Sequence, residues 1–250
     1  MRRGQPAGMK LNPVLTLGLA LSALALAAPV RYEMQSYANI SGKWQPAFAW
    51  CDAPGAVIAL TTPQKGQATL AVWEKGQGRL LPPHTFPATV GDADPGAGQI
   101  YYPLTWKNGA ATVKGFLHTS NIENVQDPAY RMTHINEFKL SDVENRCRYQ
   151  PQAAFLGVTN KRTVIVWDNG KTATYATRNF NGTPGVYVTG GKWTADEHGK
   201  EYRFTSSDGY VYVVSFRPFS AQVQVKKGDK VLLTEPFLAY SISQPAKEQP

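Results

Sequence analysis

A strand that turns on glycine returns several times along this chain, and it constrains the fold more than any other feature. Thr69-Leu-Ala-Val-Trp73-Glu-Lys-Gly76 matches Thr163-Val-Ile-Val-Trp167-Asp-Asn-Gly170 nearly position for position. Leu104-Thr-Trp106-Lys-Asn-Gly109 is a shorter copy, and Val223-Gln-Val225-Lys-Lys-Gly228 repeats the shape without a tryptophan. Each copy opens with apolar or β-branched residues suited to a pleated, half-buried surface. Each then runs into a polar pair ending in glycine, which reaches the positive φ that tight hairpin turns need. The copies therefore predict hairpins. Turn chemistry and an internal duplication both generate likeness of this kind, and the residues do not choose between them.

The clearest hairpin lies downstream, where Glu201–Thr205 and Tyr210–Phe216 flank a turn on Asp208-Gly209. Alternation puts Tyr210, Tyr212 and Val214 on one face and Val211, Val213 and Ser215 on the other. Both faces are largely apolar or aromatic, as in a strand buried on both sides or facing a cleft. Past the first 28 residues no 3.6-residue apolar period is sustained. The stretch 125–143 is the least strand-like and is expected to hold a short helix or an irregular excursion. With 22 Gly, 18 Pro and only 18% charged residues, the composition suits many short strands joined by turns. The expected fold is all-β: two small antiparallel β-barrel or sandwich units, the first closed by a disulfide.

That disulfide would join Cys51 and Cys147, the two cysteines of the chain. A pair of buried thiols or a thiolate metal site is the alternative, but neither cysteine has a second ligand at close spacing. The bridge also outlines a unit. Residues 28–50 read as an N-terminal arm, 51–150 as a first β domain and 153–250 as a second.

An oxidising setting for the bridge is written in residues 1–27. Arg2, Arg3 and Lys10 precede an apolar run from Leu11 to Leu26 that ends in small residues around Ala25-Leu26-Ala27. These are the parts of a secretory signal peptide, with a cut expected after Ala27. Export to the periplasm or cell surface follows, and no later stretch is apolar for long enough to cross a bilayer. Removing the leader takes away three bases and no acid, so the formal charge drops from +8 to +5. The remaining bases are scattered rather than gathered into a stripe, which argues against nucleic acid as a partner.

The tryptophans of the recurring hairpin, Trp73, Trp106 and Trp167, admit two readings. They cover the rim of a small barrel, or they form an aromatic platform for a flat ligand. Tyr101 and Tyr102 would extend such a platform, because they follow the glycine-rich loop Gly91-Asp-Ala-Asp94-Pro-Gly96-Ala-Gly98. The two carboxylates of that loop suit calcium weakly, since EF-hand spacing is not met. His118 and His134, with His84 and Met132 as further donors, are the candidate ligands for copper or zinc. No H-x-H or H-E-x-x-H spacing supports them. A G-x-S-x-G elbow, a Walker loop and a dinucleotide fingerprint are all absent from the sequence.

The function expected from these features is that of an exported cell-envelope binding or accessory protein. It would act through a β-strand and aromatic surface on an envelope polymer or an envelope protein, as a free protein or a subunit of a surface complex. A copper- or zinc-dependent redox or hydrolytic enzyme of the envelope is the alternative.

Overall fold

The computed structural model describes Met1 and residues 32–120 and 132–245. The leader, its cut site and residues 121–131, which include 125–131 of the stretch expected to be irregular, lie outside the described residues. Nineteen strands follow one another: β1 Tyr32–Ile40, β2 Lys43–Asp52, β3 Ala56–Thr61, β4 Gln67–Gly76, β5 Arg79–Leu80, β6 His84–Val90, β7 Asp94–Gly96, β8 Gln99–Asn108, β9 Ala111–Ser120 and β10 Ile135–Leu140. They continue with β11 Val143–Arg146, β12 Ala153–Thr159, β13 Arg162–Asp168, β14 Ala173–Asn179, β15 Tyr187–Asp196, β16 Gly199–Thr205, β17 Tyr210–Arg217, β18 Ser220–Lys227 and β19 Lys230–Pro245. The fold is all-β, and among the described residues no helix is long and apolar enough to cross a membrane.

Strands β12 to β19 pair in order, each antiparallel to the next, and β19 returns to pair with β12. The result is a closed eight-stranded barrel. A barrel of this size is just wide enough for side chains to fill it. Here Phe155, Tyr175, Phe204, Phe237 and Tyr240 do so, all but excluded from solvent. One end is plugged by a partly buried ion pair. Arg162 Nη2 donates to Glu235 Oε1 at 3.1 Å, and Thr159 Oγ1 donates to Glu235 Oε2 at 2.9 Å.

The first half is a meander of β2, β3, β4, β6, β8, β9, β10 and β11, with β5 and β7 as short outriders on β4 and β8. No ladder joins β10 to β2 among the described residues. That seam is bridged instead by the Cys51–Cys147 disulfide, with Arg148 N–H donating to Asp52 C=O at 3.0 Å beside it. The core of this half gathers Ile58, Leu60, Leu70, Leu104, Leu117 and Phe138.

Two segments depart from the sequence reading. Residues 28–50, read as an arm, carry β1 and most of β2, turned on Ser41-Gly42 with φ of 53° and 82°. Two positive φ values in succession suit a type I′ hairpin. Within the stretch expected to be helical or irregular, β10 pairs with β9 because Phe138 alternates into the core. The recurring hairpin is present with one shift. Gly109 and Gly228 occupy the turns after β8 and β18, and Gly170 sits in the turn after β13. After β4 the chain turns one step later, on Gln77-Gly78.

The two halves share strands and charge. β1 pairs with β2 on one side and β19 on the other, so it belongs to both. At the end of β2, the buried carboxylate of Asp52 pairs with Lys75 and accepts Thr163 Oγ1 at 2.6 Å, reaching from the first half into β13.

Candidate functional site

The end of the barrel opposite the Arg162–Glu235 plug is open. Its polar floor is set by local sequence. Asp168 closes β13, and its Oδ1 accepts the Gly170 N–H at 2.9 Å across the Asp-Asn-Gly turn. Lys200 and Tyr202 stand two residues apart on β16 and so face the same way. Lys200 Nζ and Tyr202 Oη both donate to Asp168 Oδ2, at 2.8 and 2.9 Å. Trp193 lies opposite Tyr202 in the β15–β16 register, and the Lys200 ammonium sits 4.9 Å from the Trp193 ring and 4.5 Å from the Tyr202 ring.

Around this floor the walls come from three further strands. Tyr37 of β1, Phe216 and Arg217 of β17, and Ile242 and Ser243 of β19 enclose a cavity of about 470 Å3. The Ser243 hydroxyl is buried there without a hydrogen-bond partner. Because the barrel interior beneath is filled by aromatic rings, a ligand would rest at the mouth rather than descend.

Burial pushes the Asp168 carboxyl up, but its bonds from Lys200, Gly170 and Tyr202 together with the Lys200 charge outweigh that, and it lies below the usual carboxylate range. A carboxylate held ionised and saturated with donors is poorly suited to general acid or base catalysis. The ammonium and carboxylate neutralise one another, leaving a flat aromatic wall beside fixed polar groups. Such a mouth suits a neutral polar ring better than a charged ligand.

A second polar cluster lies in the first half. His118 Nε2 and Gln99 Oε1 are 2.6 Å apart, Asn136 Nδ2 donates to Gln99 Oε1 at 2.9 Å, and Glu137 Oε1 stands 3.5 Å from His118 Nδ1. Tyr101 lies flat on the His118 ring at 4.2 Å. His134 stacks on Tyr149 at 3.8 Å, and burial, then the charge of His118, holds its imidazole below the ordinary value.

The residues singled out from sequence are thus dispersed. Trp73 and Trp106 are core side chains, 3% and 7% exposed, with no open ring face to offer. Trp167 is half-buried and donates its Nε1–H to Pro151 C=O at 3.0 Å. Tyr101 is exposed beside the His118 cluster, while Tyr102 packs edge-on against Phe48. Met132 sits in a small apolar cluster with Ala153 and Ile165, and His84 is exposed at the start of β6. His118 and His134 are neighbours, but among the described residues no three His, Cys, Asp or Glu side chains gather as a ligand set. Asp92 and Asp94 of the glycine-rich loop are exposed, and Asp94 opens β7.

The mouth residues Asp168, Trp193 and Lys200 were not legible as a group. The turn on Asp168-Asn-Gly and the alternation of Lys200 with Tyr202 were visible, but their meeting depends on barrel closure. No protein-family model matches the chain, and no curated protein or solved structure matches it significantly.

Proposed function

We propose that this chain is an exported binding or accessory protein of the cell envelope that takes its ligand at the open mouth of the closed barrel. The observation that carries this reading is the cavity itself. A barrel otherwise filled with side chains keeps about 470 Å3 at one end, walled by Trp193, Tyr37 and Phe216 above the Asp168–Lys200 pair. Small barrels of this type commonly hold one ligand at or inside the mouth. Export is supported by the leader of residues 1–27 and by the Cys51–Cys147 bridge, which persists in oxidising compartments. The ligand class that fits is a sugar-like ring of an envelope polymer, stacking on Trp193 and bonding to the charged pair.

Tryptophan fluorescence of the mature chain, titrated with oligosaccharides released from envelope polysaccharide, tests this. The expected result is saturable quenching that Trp193→Phe abolishes and Trp106→Phe leaves in place. Absence of quenching, together with no co-purification from the native envelope fraction, would overturn the reading.

A further inference from the structure

The junction between the two halves carries more positive charge than its single carboxylate can answer. Asp52 is 2% exposed, and three cations surround it: Lys75, which pairs with Oδ1, and Arg148 and Arg178, whose Nη1 atoms each stand 3.6 Å from Oδ2. Lys75 is committed, donating also to Ala53 C=O at 2.6 Å. The arginines are held more loosely. At 3.6 Å each makes a long ion pair with Asp52 rather than a close hydrogen bond, and Arg178 Nη1 is buried without a close hydrogen-bond partner. The Asp52 charge acts on both Lys75 and Arg178, whereas Arg148 repels each of them. Burial and that repulsion leave the Arg178 guanidinium less comfortably charged than usual. Both side chains nevertheless reach water, 34% and 38% exposed.

Three positive charges against one leave a surplus of two, and both arginines stand beside the same oxygen, Oδ2. Guanidinium forks match the oxygens of a phosphoryl group in geometry as well as charge. We propose that Arg148 and Arg178 form a binding site for a dianionic phosphoryl group, seated on the solvent side of Asp52 between the two halves. The site is separate from the barrel mouth and independent of what binds there. A phosphoryl group bound here would touch Arg148, which follows β11, and Arg178 of β14, and so would clamp the halves together.

The test is calorimetric titration of the mature protein with inorganic phosphate, run against sodium chloride of equal ionic strength. Saturable binding is expected with phosphate and not with chloride. Arg148→Gln and Arg178→Gln should each weaken it at least tenfold, while Lys226→Gln/Lys227→Gln leaves it unchanged. Should the arginine variants fail to fold by circular dichroism, phenylglyoxal labelling of the wild-type chain replaces them. Phosphate should then protect Arg148 and Arg178, mapped by mass spectrometry, ahead of other arginines.

Vesicles distinguish the source of the group. Sedimentation with phosphatidic acid but not phosphatidylcholine vesicles, lost in the arginine variants, assigns it to a lipid headgroup. Phosphate binding without sedimentation assigns it to a soluble or polymer-borne phosphoryl group. The proposal is overturned if phosphate does no more than matched chloride, or if binding survives both substitutions and protects neither arginine.

Discussion

Trp50 Nε1 donates to Ser241 Oγ across 2.7 Å, a buried bond between residues 191 positions apart. It ties β2 of the first half to β19 of the barrel, and Ser36 Oγ of β1 lies 2.7 Å from the same hydroxyl. The two possible deletions are not equivalent. Trp50→Phe removes the donor and leaves Ser241 with Ser36, and should cost about 1 kcal/mol. Ser241→Ala strands the indole N–H in the core, so its cost should be larger, about 1–3 kcal/mol. Urea unfolding of the two variants checks the order, and an equal or inverted pair of values would show that packing, not the bond, sets the cost.

The disulfide stands where a ladder between β2 and β10 is missing, so its removal should act on the first half. Cys51→Ala/Cys147→Ala is expected to lose about 2–5 kcal/mol, the usual cost of deleting a native bridge. Hydrogen exchange should show β2, β10 and β11 losing protection, with β13 to β18 little changed. Uniform loss across the chain would contradict a local role for the bridge.

Asp168 predicts a pH dependence whose sign is fixed. Its folded carboxyl titrates below the ordinary range, so the unfolded chain takes up the proton first as pH falls. The stabilisation is therefore full above the unfolded value of about 3.9 and disappears as pH drops through the lower folded value. Asp168→Asn should be less stable than wild type by about 1–3 kcal/mol at pH 7. That gap should narrow below pH ~4, followed by chemical denaturation at stepped pH.

At the plugged end, Glu235→Ala leaves Arg162 facing a buried, uncompensated position. Breaking a buried pair from one side costs about 3–5 kcal/mol, and here the lower figure is expected because Arg162 keeps part of its side chain in water. Replacing both partners with apolar residues, as in Arg162→Met/Glu235→Leu, should recover most of the loss. Thermal unfolding of the single and double variants measures it.

What was legible in the sequence was local. The hairpin of β16 and β17 follows from Asp208-Gly209 and the alternation around it, and the glycine turns after β8 and β18 follow from the recurring pattern. The single pairing available to Cys51 and Cys147 was equally plain. Long-range pairing was not. Nothing near Tyr32–Ile40 says that its partner is the far end of the chain, so β1 read as an arm. The mouth was hidden for the same reason: Asp168, Trp193 and Lys200 become neighbours only when β19 meets β12. Trp73 and Trp106 drew notice because their pattern repeats, yet repetition marked strands that need large core side chains. Asp52 and Arg148 are different: each is next to a bridged cysteine, and a disulfide brings its flanking charges together.

The position of β19 sets the order of assembly. This strand pairs with β18, β12 and β1, partners that belong to both halves of the chain. Neither barrel closure nor the pairing of β1 with the barrel can precede its docking, so the sheet keeps open edges until β19 is in place. Closure across so many residues is inherently slow. Docking of this one strand therefore closes the barrel and joins the two halves in a single event.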